Sequence, residues 1–328
     1  MKVLIVDRSG KIPATTYGGT ERVIWGLGKA LHALGHEVTF LVPGGTGGTF
    51  ARVLPLDVTK DLNEQIPDDI DVVHMNYRPD RPLQKPYLIT MHGNPALGEI
   101  IDPNTVFISK NQAQRYGSEV FVHNGLDWSE YPEPVLDHER RYLHFLGKVS
   151  WKVKNVFGAA NIAVRSNIPI HIMGGDRWTF RNVHRGFRYL VHPKIRFRGW
   201  VHDREKIEIM SRSKALVFPV EWHEPFGLAI IESLYAGCAV FGSANGSLPE
   251  LIIPEVGLVS YASEELVTAI RDFQYNPEHC HAYAVSKFNS EVMTKKYLVL
   301  YERILQDIPL HETAPQYLSE KNRIQKMY

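Results

Sequence analysis

The stretch Glu224-Pro225-Phe226-Gly227-Leu228-Ala229-Ile230-Ile231-Glu232 sets two carboxylates around the start of a helix, directly after a strand. Ala215-Leu216-Val217-Phe218 before it is a short apolar run of strand type. After Pro219 to His223 the apolar positions move to helical spacing at Leu228, Ile231, Leu234 and Tyr235. Pro225 suits the first turn, where its missing N–H costs nothing. Gly237 closes the helix and Ala239-Val240-Phe241 begins another strand. Strand, helix, strand in that order is a parallel crossover. Ligands of parallel sheets gather at the C-terminal ends of the strands, which is where Glu224 falls.

Spacing carries the chemistry further. With the helix starting near Gly227, a rise of ~1.5 Å per residue separates the two acids by roughly 8–12 Å along the backbone. Carboxylates flanking one glycosidic bond in a hydrolase stand about 5–9.5 Å apart, so two separate hydroxyl-bearing targets fit better. A nucleotide-sugar offers a ribose and a transferred sugar with a diphosphate between them, and the N–H groups of Phe226, Gly227 and Leu228 at the helix N-terminus would face that diphosphate. The spacing alone is equally served by a helix-capping Glu and a solvated one. The Pro-Phe-Gly insert and the later Ala236-Gly237 favour the ligand reading.

The segment Glu224 to Val240 resembles the signature of retaining glycosyltransferases of family four, the glycosyl transferases group 1. Tyr17-Gly18-Gly19-Thr20-Glu21-Arg22 looks like that family's glycine loop and first helix, Thr90-Met91-His92-Gly93 its donor-facing histidine, and His123-Asn124-Gly125-Leu126-Asp127 its interdomain junction. Phe145-Leu146-Gly147-Lys148, Gly174-Gly175-Asp176 and Phe288 to Leu305 continue the likeness, so it runs in order over most of residues 1–306. It implies an α/β protein of the GT-B fold, with two facing Rossmann-like, doubly wound parallel-sheet domains and a C-terminal helix crossing back to the first. Residues 1–135 would form the acceptor-side domain, 136–306 the donor-side domain and 307–328 a tail. The implied reaction moves a sugar, with retention, from a nucleoside-diphosphate sugar to an acceptor hydroxyl. The two domains close over the donor, the leaving diphosphate helps take the acceptor proton, and no residue serves as covalent nucleophile.

Composition permits this reading and removes others. A chain of 328 residues has room for two ordinary domains. With 44% hydrophobic and 22% charged residues it is an ordinary globular protein rather than a disordered one, and a net charge of +1 argues against a general polyanion binder. The opening apolar run is too short for a signal peptide and no window reaches the ~20 apolar residues of a membrane span, which places the expected location in the cytoplasm. Cys238 and Cys280 have no Cys-x-x-Cys or histidine partner at ligand spacing and read as inert thiols.

Along the chain, Val3 to Asp7 is a buried-type strand. A glycine-containing loop leads to a helix with Thr20 as N-cap and Val23, Ile24, Leu27, Leu31 and Leu34 on one stripe, ended by Gly35. Further strands are expected at Val38 to Val42, Val72 to Met75, Tyr87 to Thr90, Val106 to Ser109 and Val120 to His123. Residues 125–140 read as a linker, and strand formers resume at Tyr142 to Leu146. Leu266 to Phe273 and Val292 to Leu305 are helical, and the tail from about 309 has no strong period, which points to loose docking or disorder. Gly44-Gly45-Thr46-Gly47-Gly48 lacks the Gly-x-Gly-x-x-Gly order and reads as a flexible loop.

Gly18 and Gly19, after the first strand, let the backbone approach a phosphate or a donor sugar, whereas a lone Gly-Gly is an ordinary tight turn. Breaking a sugar–phosphate bond leaves a diphosphate that gains negative charge, and cations must stabilise it. Lys148 and Lys154 are the candidates. They match the family's basic pair approximately, since the second basic residue is expected where Val153 stands, so Lys152 remains open beside Lys154. His92, by the resemblance, lies beside the reacting sugar; His123 and Asn124 take a structural role. Asp69-Ile70-Asp71 reads as a helix-to-strand turn rather than a metal site, and no cofactor or catalytic metal is expected. Glu250 is a weaker candidate at a helix start.

Arg177, Arg181, Arg185 and Arg188 recur at helical spacing, with Lys194, Arg196 and Arg198 following and no acid among them. A solvated charged face is the plain reading, and contact with an anionic acceptor, a lipid-linked sugar or a membrane surface is the sharper one. The expected partners are a nucleotide-sugar donor, a carbohydrate, lipid-linked or small-molecule acceptor and a peripheral membrane surface. Nucleic acid is not expected, because no stacking-aromatic motif accompanies the charges. Rival functions are a nucleotide-sugar epimerase, a phosphorylase, a non-catalytic sugar-nucleotide-binding subunit and a nicotinamide oxidoreductase, the last lacking its glycine fingerprint.

Overall fold

Val3, Leu4, Ile5 and Val6 are wholly buried, as are Val72, Val73 and Met75, which is what a parallel strand covered on both faces requires. The computed structural model describes residues 1–13, 18–96, 98–178 and 180–328, with the side chains of 180–183, 185 and 321 excepted. Its contacts divide the chain into two units, Met1–Trp128 with Lys287–Asn322, and Ser129–Ser286 with Arg323–Tyr328.

Unit 1 runs β1 (Lys2–Val6), α1 (Gly19–Ala33), β2 (Glu37–Val42), β3 (Ala51–Pro55), β4 (Val72–Met75), β5 (Tyr87–Met91), β6 (Thr105–Phe107) and α2 (Lys110–Arg115). Its strands lie in the order β3-β2-β1-β4-β5-β6, every pair parallel. Asp69 and Asp71 form the expected turn before β4: the Lys2 backbone N–H donates to Asp71 at 2.7 Å and Lys2 Nζ to Asp69 at 3.1 Å, which pins β4 beside β1.

Unit 2 runs β7 (Tyr142–Leu146), α3 (Val156–Arg165), β8 (Ile170–Met173), α4 (Phe180–Leu190), β9 (Ile195–Gly199), α5 (Asp203–Ser211) and β10 (Ser213–Phe218). It continues with α6 (Leu228–Tyr235), β11 (Ala239–Gly242), α7 (Leu248–Leu251), β12 (Gly257–Val259), α8 (Ser263–Asp272) and α9 (Pro277–Lys287). The strand order is β12-β11-β10-β7-β8-β9, again all parallel. In each unit the order reverses beside its first strand, between β1 and β4 and between β7 and β10, and the crevice at that reversal is where a doubly wound sheet holds its ligand.

The chain returns to unit 1 through α10 (Ser290–Leu305), whose Tyr297 and Tyr301 are buried. Their hydroxyls reach a network under the sheet: Tyr301 Oη lies 2.6 Å from His74 Nδ1, His74 Nε2 lies 2.8 Å from Thr90 Oγ1, and Thr90 Oγ1 lies 2.8 Å from Tyr297 Oη. Where the chain leaves unit 1 and where it returns, the two segments are hydrogen-bonded to each other, Leu126 N to Phe288 O at 2.9 Å and Ser290 N to Leu126 O at 3.0 Å.

Several expectations are corrected. Helix α1 is capped by Gly18 without a side-chain bond, so Thr20 lies inside the first turn. Val120 to His123 forms one isolated bridge, Phe107 with Phe121, because only Phe107 exchanges backbone bonds with it. The 44–48 loop is tied to Ile12 by bonds from Ile12 N to Gly44 O and from Thr46 N to Ile12 O. Gln316 N and Leu318 N donate to the carbonyls of Tyr116 and Arg115, so the tail is docked as an extended segment. The arginines from 177 to 188 do not share one helical face. Arg177 precedes α4 and donates to the Leu190 carbonyl, and Gly186 is non-helical (φ −157°, ψ 36°) between Arg185 and Arg188. A Cβ at Gly186 would lie 2.4 Å from the Phe157 ring, so the ring's close approach requires glycine at this break. The side chains of Arg181 and Arg185 lie outside the described residues.

Candidate active site

The crevice of unit 2 is built from the loops after β7 and β10. After β7 the chain passes Lys148 and a single 3-10 turn, Lys152–Lys154, and stops at Asn155, whose left-handed φ of 52° ends the turn and whose Oδ1 caps α3 at Gly158 N. Asn155 Nδ2 donates to Pro219 O at 3.0 Å and Glu221 N to Val153 O at 2.8 Å, which clamps this turn to the loop after β10. Lys154 is thereby delivered to Glu224, while Lys152 remains exposed.

Glu224 is 5% exposed. Its Oε2 accepts from Lys154 Nζ at 2.6 Å and from Trp222 Nε1 at 2.7 Å, and Lys154 Nζ also lies 4.8 Å from the Trp222 ring centroid. Oε1 takes no bond among the described residues. The neighbouring loop holds the Glu224 backbone: Ser247 N donates to Glu224 O at 3.0 Å and Ser247 Oγ to Phe226 O at 2.6 Å. At Gly246 (φ +64°) a Cβ would come within 2.2 Å of the Glu224 nitrogen, so this approach admits only glycine.

Helix α6 starts at Leu228, at the expected place near Gly227. Gly227, at φ 89°, is its N-cap and cannot lie within a right-handed helix, so Pro225 belongs to the loop rather than to the first turn. Glu232, one turn inside α6, is 8% exposed. Its Oε1 accepts from Lys206 Nζ at 2.7 Å and from Tyr131 Oη at 2.9 Å, and Lys206 is also paired with Asp203 at 3.3 Å. Each acid therefore commits one oxygen to a lysine and an aromatic donor, while the other takes no bond among the described residues. The two acids sit in separate polar clusters. Lys206 and Tyr131 were not among the sequence candidates.

Lys148 is exposed, its ammonium 5.1 Å from the Trp151 ring centroid. Glu250 lies in the first turn of α7, with its N–H bonded to Ser247 O. Beneath the site His144 is buried, bridged by its two ring nitrogens to Ser213 Oγ at 2.7 Å and to Ser233 Oγ of α6 at 2.9 Å, and burial drives its pKa down to about 3. Cys238 and Cys280 are free and buried, and burial raises them to about 11 and about 12, which keeps them unreactive thiols.

In unit 1, Gly18 and Gly19 cap and begin α1 at the end of the loop after β1; Tyr17 lies outside the described residues. His92 follows β5, its Nε2 2.8 Å from Asn76 Oδ1, and enclosure of the ring lowers its pKa to about 4, so it is neutral near pH 7. His92 lines a cavity of about 480 Å³ with Arg8, Asn76, Arg78, Thr90 and Glu99. Among the described residues no group of three or more His, Cys, Asp and Glu is disposed to hold a metal ion, and no helix is long and apolar enough to cross a membrane.

Residues 129–287, nearly all of unit 2, match the model of the family described as Glycosyl transferases group 1. Two curated relatives are described as uncharacterized proteins of 41.2 and 42.6 kDa in the cps region of Klebsiella pneumoniae. The first is 26% identical over 145 residues, 40% of this chain and 40% of the relative. The second is 29% identical over 99 residues, 29% of this chain and 24% of the relative. The chain thus matches well under half the length of either. Among solved structures, AviGT4, a glycosyltransferase involved in avilamycin A biosynthesis, superposes with a TM-score of 0.78 at 22% identity over 93% of this chain and 98% of that one. Sucrose-phosphate synthase from Thermosynechococcus elongatus gives 0.67 at 18% identity over 93% and 99%. Anabaena HepE in complex with UDP and glucose gives 0.64 at 16% identity over 92% and 99%. At these identities the likeness establishes the fold, which is GT-B.

Proposed function

We propose that this chain, whose residues 129–287 belong to the glycosyl transferases group 1, moves a sugar with retention from a nucleoside-diphosphate sugar to an acceptor hydroxyl on a glycan, a lipid-linked sugar or a small molecule. The observation that carries the reading is the pair of half-engaged carboxylates around α6. Glu224 Oε1 and Glu232 Oε2 take no hydrogen bond among the described residues, while their partner oxygens are each held by a lysine and an aromatic donor. An ionised carboxylate only accepts, so each is matched to a hydroxyl donor. In this assignment Glu224 holds the transferred sugar and Glu232 the ribose. HepE, which shares the fold, was solved with UDP and glucose.

As the bond between the anomeric carbon and the phosphate oxygen breaks, the diphosphate gains negative charge. Lys148, the remaining N–H donors of Lys154 and the N-terminus of α6 stabilise it, in the role that preorganised donors play at any developing anion. The bond to the acceptor oxygen forms on the face the diphosphate leaves, and the acceptor proton passes to a diphosphate oxygen, so atoms and charge balance without a covalent enzyme intermediate. We assign no step to a metal.

Incubation with a panel of nucleoside-diphosphate sugars, reading free nucleoside diphosphate and the anomeric configuration of the product by NMR, tests this. Release of nucleoside diphosphate with retained configuration, unaffected by chelator, is expected. Inverted product, or no turnover and no binding with any donor at millimolar concentration, would refute it.

A further inference from the structure

Unit 2 carries a second polar cavity at the other end of its strands. It has a volume of about 570 Å³, and Tyr142, His171, Arg196, Arg198 and Arg212 line it together with Glu205, Glu208 and Arg141. Tyr142 opens β7 and His171 is the second residue of β8, so the cavity lies by the strand starts, away from Lys148 and Glu224 at the strand ends. His171 and Arg196 are register partners, and the ladder slips by one residue at Arg198, a bulge that re-aims side chains along this edge strand.

Two observations point to a ligand. His171 is 4% exposed and its Nδ1 is a buried atom without a hydrogen-bond partner among the described residues, although buried polar groups are normally paired. Its ring is fixed by stacking on Tyr142, with centroids 3.9 Å apart. Arg196, Arg198 and Arg212 are exposed residues that line the cavity with no ion pair among the described residues, although Glu205 and Glu208 line the same space. A set of like charges beside a neutral imidazole is completed by an oxyanion that accepts from the guanidinium forks.

We propose that this cavity is a binding site for the phosphate group of a small-molecule ligand, distinct from the crevice around Glu224. Phosphate suits it better than a carboxylate because two elements supply guanidiniums, Arg196 and Arg198 from β9 and Arg212 from the end of α5. Burial first, then Arg198 and Arg196, hold the His171 pKa down to about 4. A bound dianion opposes the arginines' effect and shifts that pKa upward. Arg141, Glu205 and Glu208 line the same cavity.

The test is NMR of the full chain with labelled histidine, titrated with sodium phosphate at fixed ionic strength, with sodium chloride and sodium succinate as separate arms. A saturable shift of the His171 ring resonances and a pKa raised by at least about one unit are expected with phosphate. Arg196→Gln combined with Arg198→Gln should weaken half-saturation at least about tenfold, as should Arg212→Gln at the end of α5, while Lys154→Ala leaves it unchanged. These substitutions remove cations and raise the resting pKa themselves, so phosphate dependence, not the resting value, decides. A shift reproduced by chloride, equal binding of succinate, a response abolished by Lys154→Ala, or half-saturation unmoved in both arginine variants would overturn the proposal.

Discussion

In unit 2 the reversal of strand order between β7 and β10 is lined by Lys148, Lys154 and Glu224; in unit 1 the equivalent reversal between β1 and β4 is lined by groups engaged with one another and with neighbouring backbone. Asp7 is buried and turned onto Ser9 N at 3.1 Å, and Asn76 Nδ2 donates to Val6 O at 3.0 Å while its Oδ1 meets His92. One strand order thus supports two electrostatic environments. Unit 2 holds buried ion pairs with one carboxylate oxygen uncommitted, and unit 1 holds a neutral histidine beside an amide. The difference teaches that topology fixes where a ligand can sit, and the loop residues decide which charge it meets.

Breaking the unit 2 pair should have the largest effect. Glu224→Gln removes the charge that balances Lys154, and turnover should fall by about a hundredfold or more, as when a preorganised polar group is lost. Lys154→Ala leaves a buried carboxylate with Trp222 as its remaining donor, and loss of one partner from a buried pair costs about 3–5 kcal/mol. Denaturant unfolding should show that loss. The double change Lys154→Met with Glu224→Gln should recover most of the stability and none of the activity. Recovery of activity would show that the pair is a structural feature only.

Acid should affect both units alike, because each buries a histidine beneath its sheet. His74 and His144 are held to about 3, chiefly by burial, against about 6.5 in an unfolded chain. Their folded pKa is depressed, so the unfolded state binds more protons below pH 6.5. The contribution is complete above that value and is lost as pH falls toward 3, with a slope approaching about 1.4 kcal/mol per pH unit for each histidine. Denaturation midpoints measured from pH 7 to 4 should fall; a flat profile would break the likeness between the units. His92, at about 4, should add no ionisation near pH 6.5 to the kcat/KM profile.

A smaller effect separates the two histidines. In unit 1 the His74 ring depends on a hydroxyl from α10, so Tyr301→Phe leaves Nδ1 unpaired at a cost of about 1–3 kcal/mol, read by denaturant unfolding. Turnover of the folded enzyme should change little. If turnover falls as far as in Glu224→Gln, α10 does more than support the sheet.

Much of this comparison was legible in the chain. The strands show as apolar runs because both faces of a parallel sheet are covered, and Glu224 and Glu232 show because a strand, a Gly-capped helix start and two acids fall in sequence. Lys206 does not show: between Glu205 and Ile207 it reads as an ordinary helix lysine, and only the crossover that brings α5 near α6 buries it on Glu232. Tyr131 is hidden in the same way inside an apparent linker. The interruption of α4 at Gly186, where the Phe157 ring from far off in the sequence packs, is invisible in the arginine spacing. The tail has no period to read, because its docking uses backbone bonds to Arg115 and Tyr116.

The smallest expected effect decides between Lys154, the sequence candidate, and Lys152, which the sequence leaves open beside it. Lys152 and Lys154 flank Val153 in one 3-10 turn, so their side chains diverge, and the clamp from Val153 O to Glu221 N fixes which of them meets the β10 loop. Lys154 is inserted on Glu224 with its side chain 13% exposed, whereas Lys152 stands in solvent. An exposed ammonium near a diphosphate is screened over roughly 8–10 Å at ordinary salt, so Lys152→Ala should alter kcat/KM by about twofold or less, and less still as salt rises. Steady-state kinetics at two ionic strengths would measure it. A loss comparable to that of Lys154→Ala would mean that the turn rearranges when the donor binds, and that the cation reaching the diphosphate is Lys152.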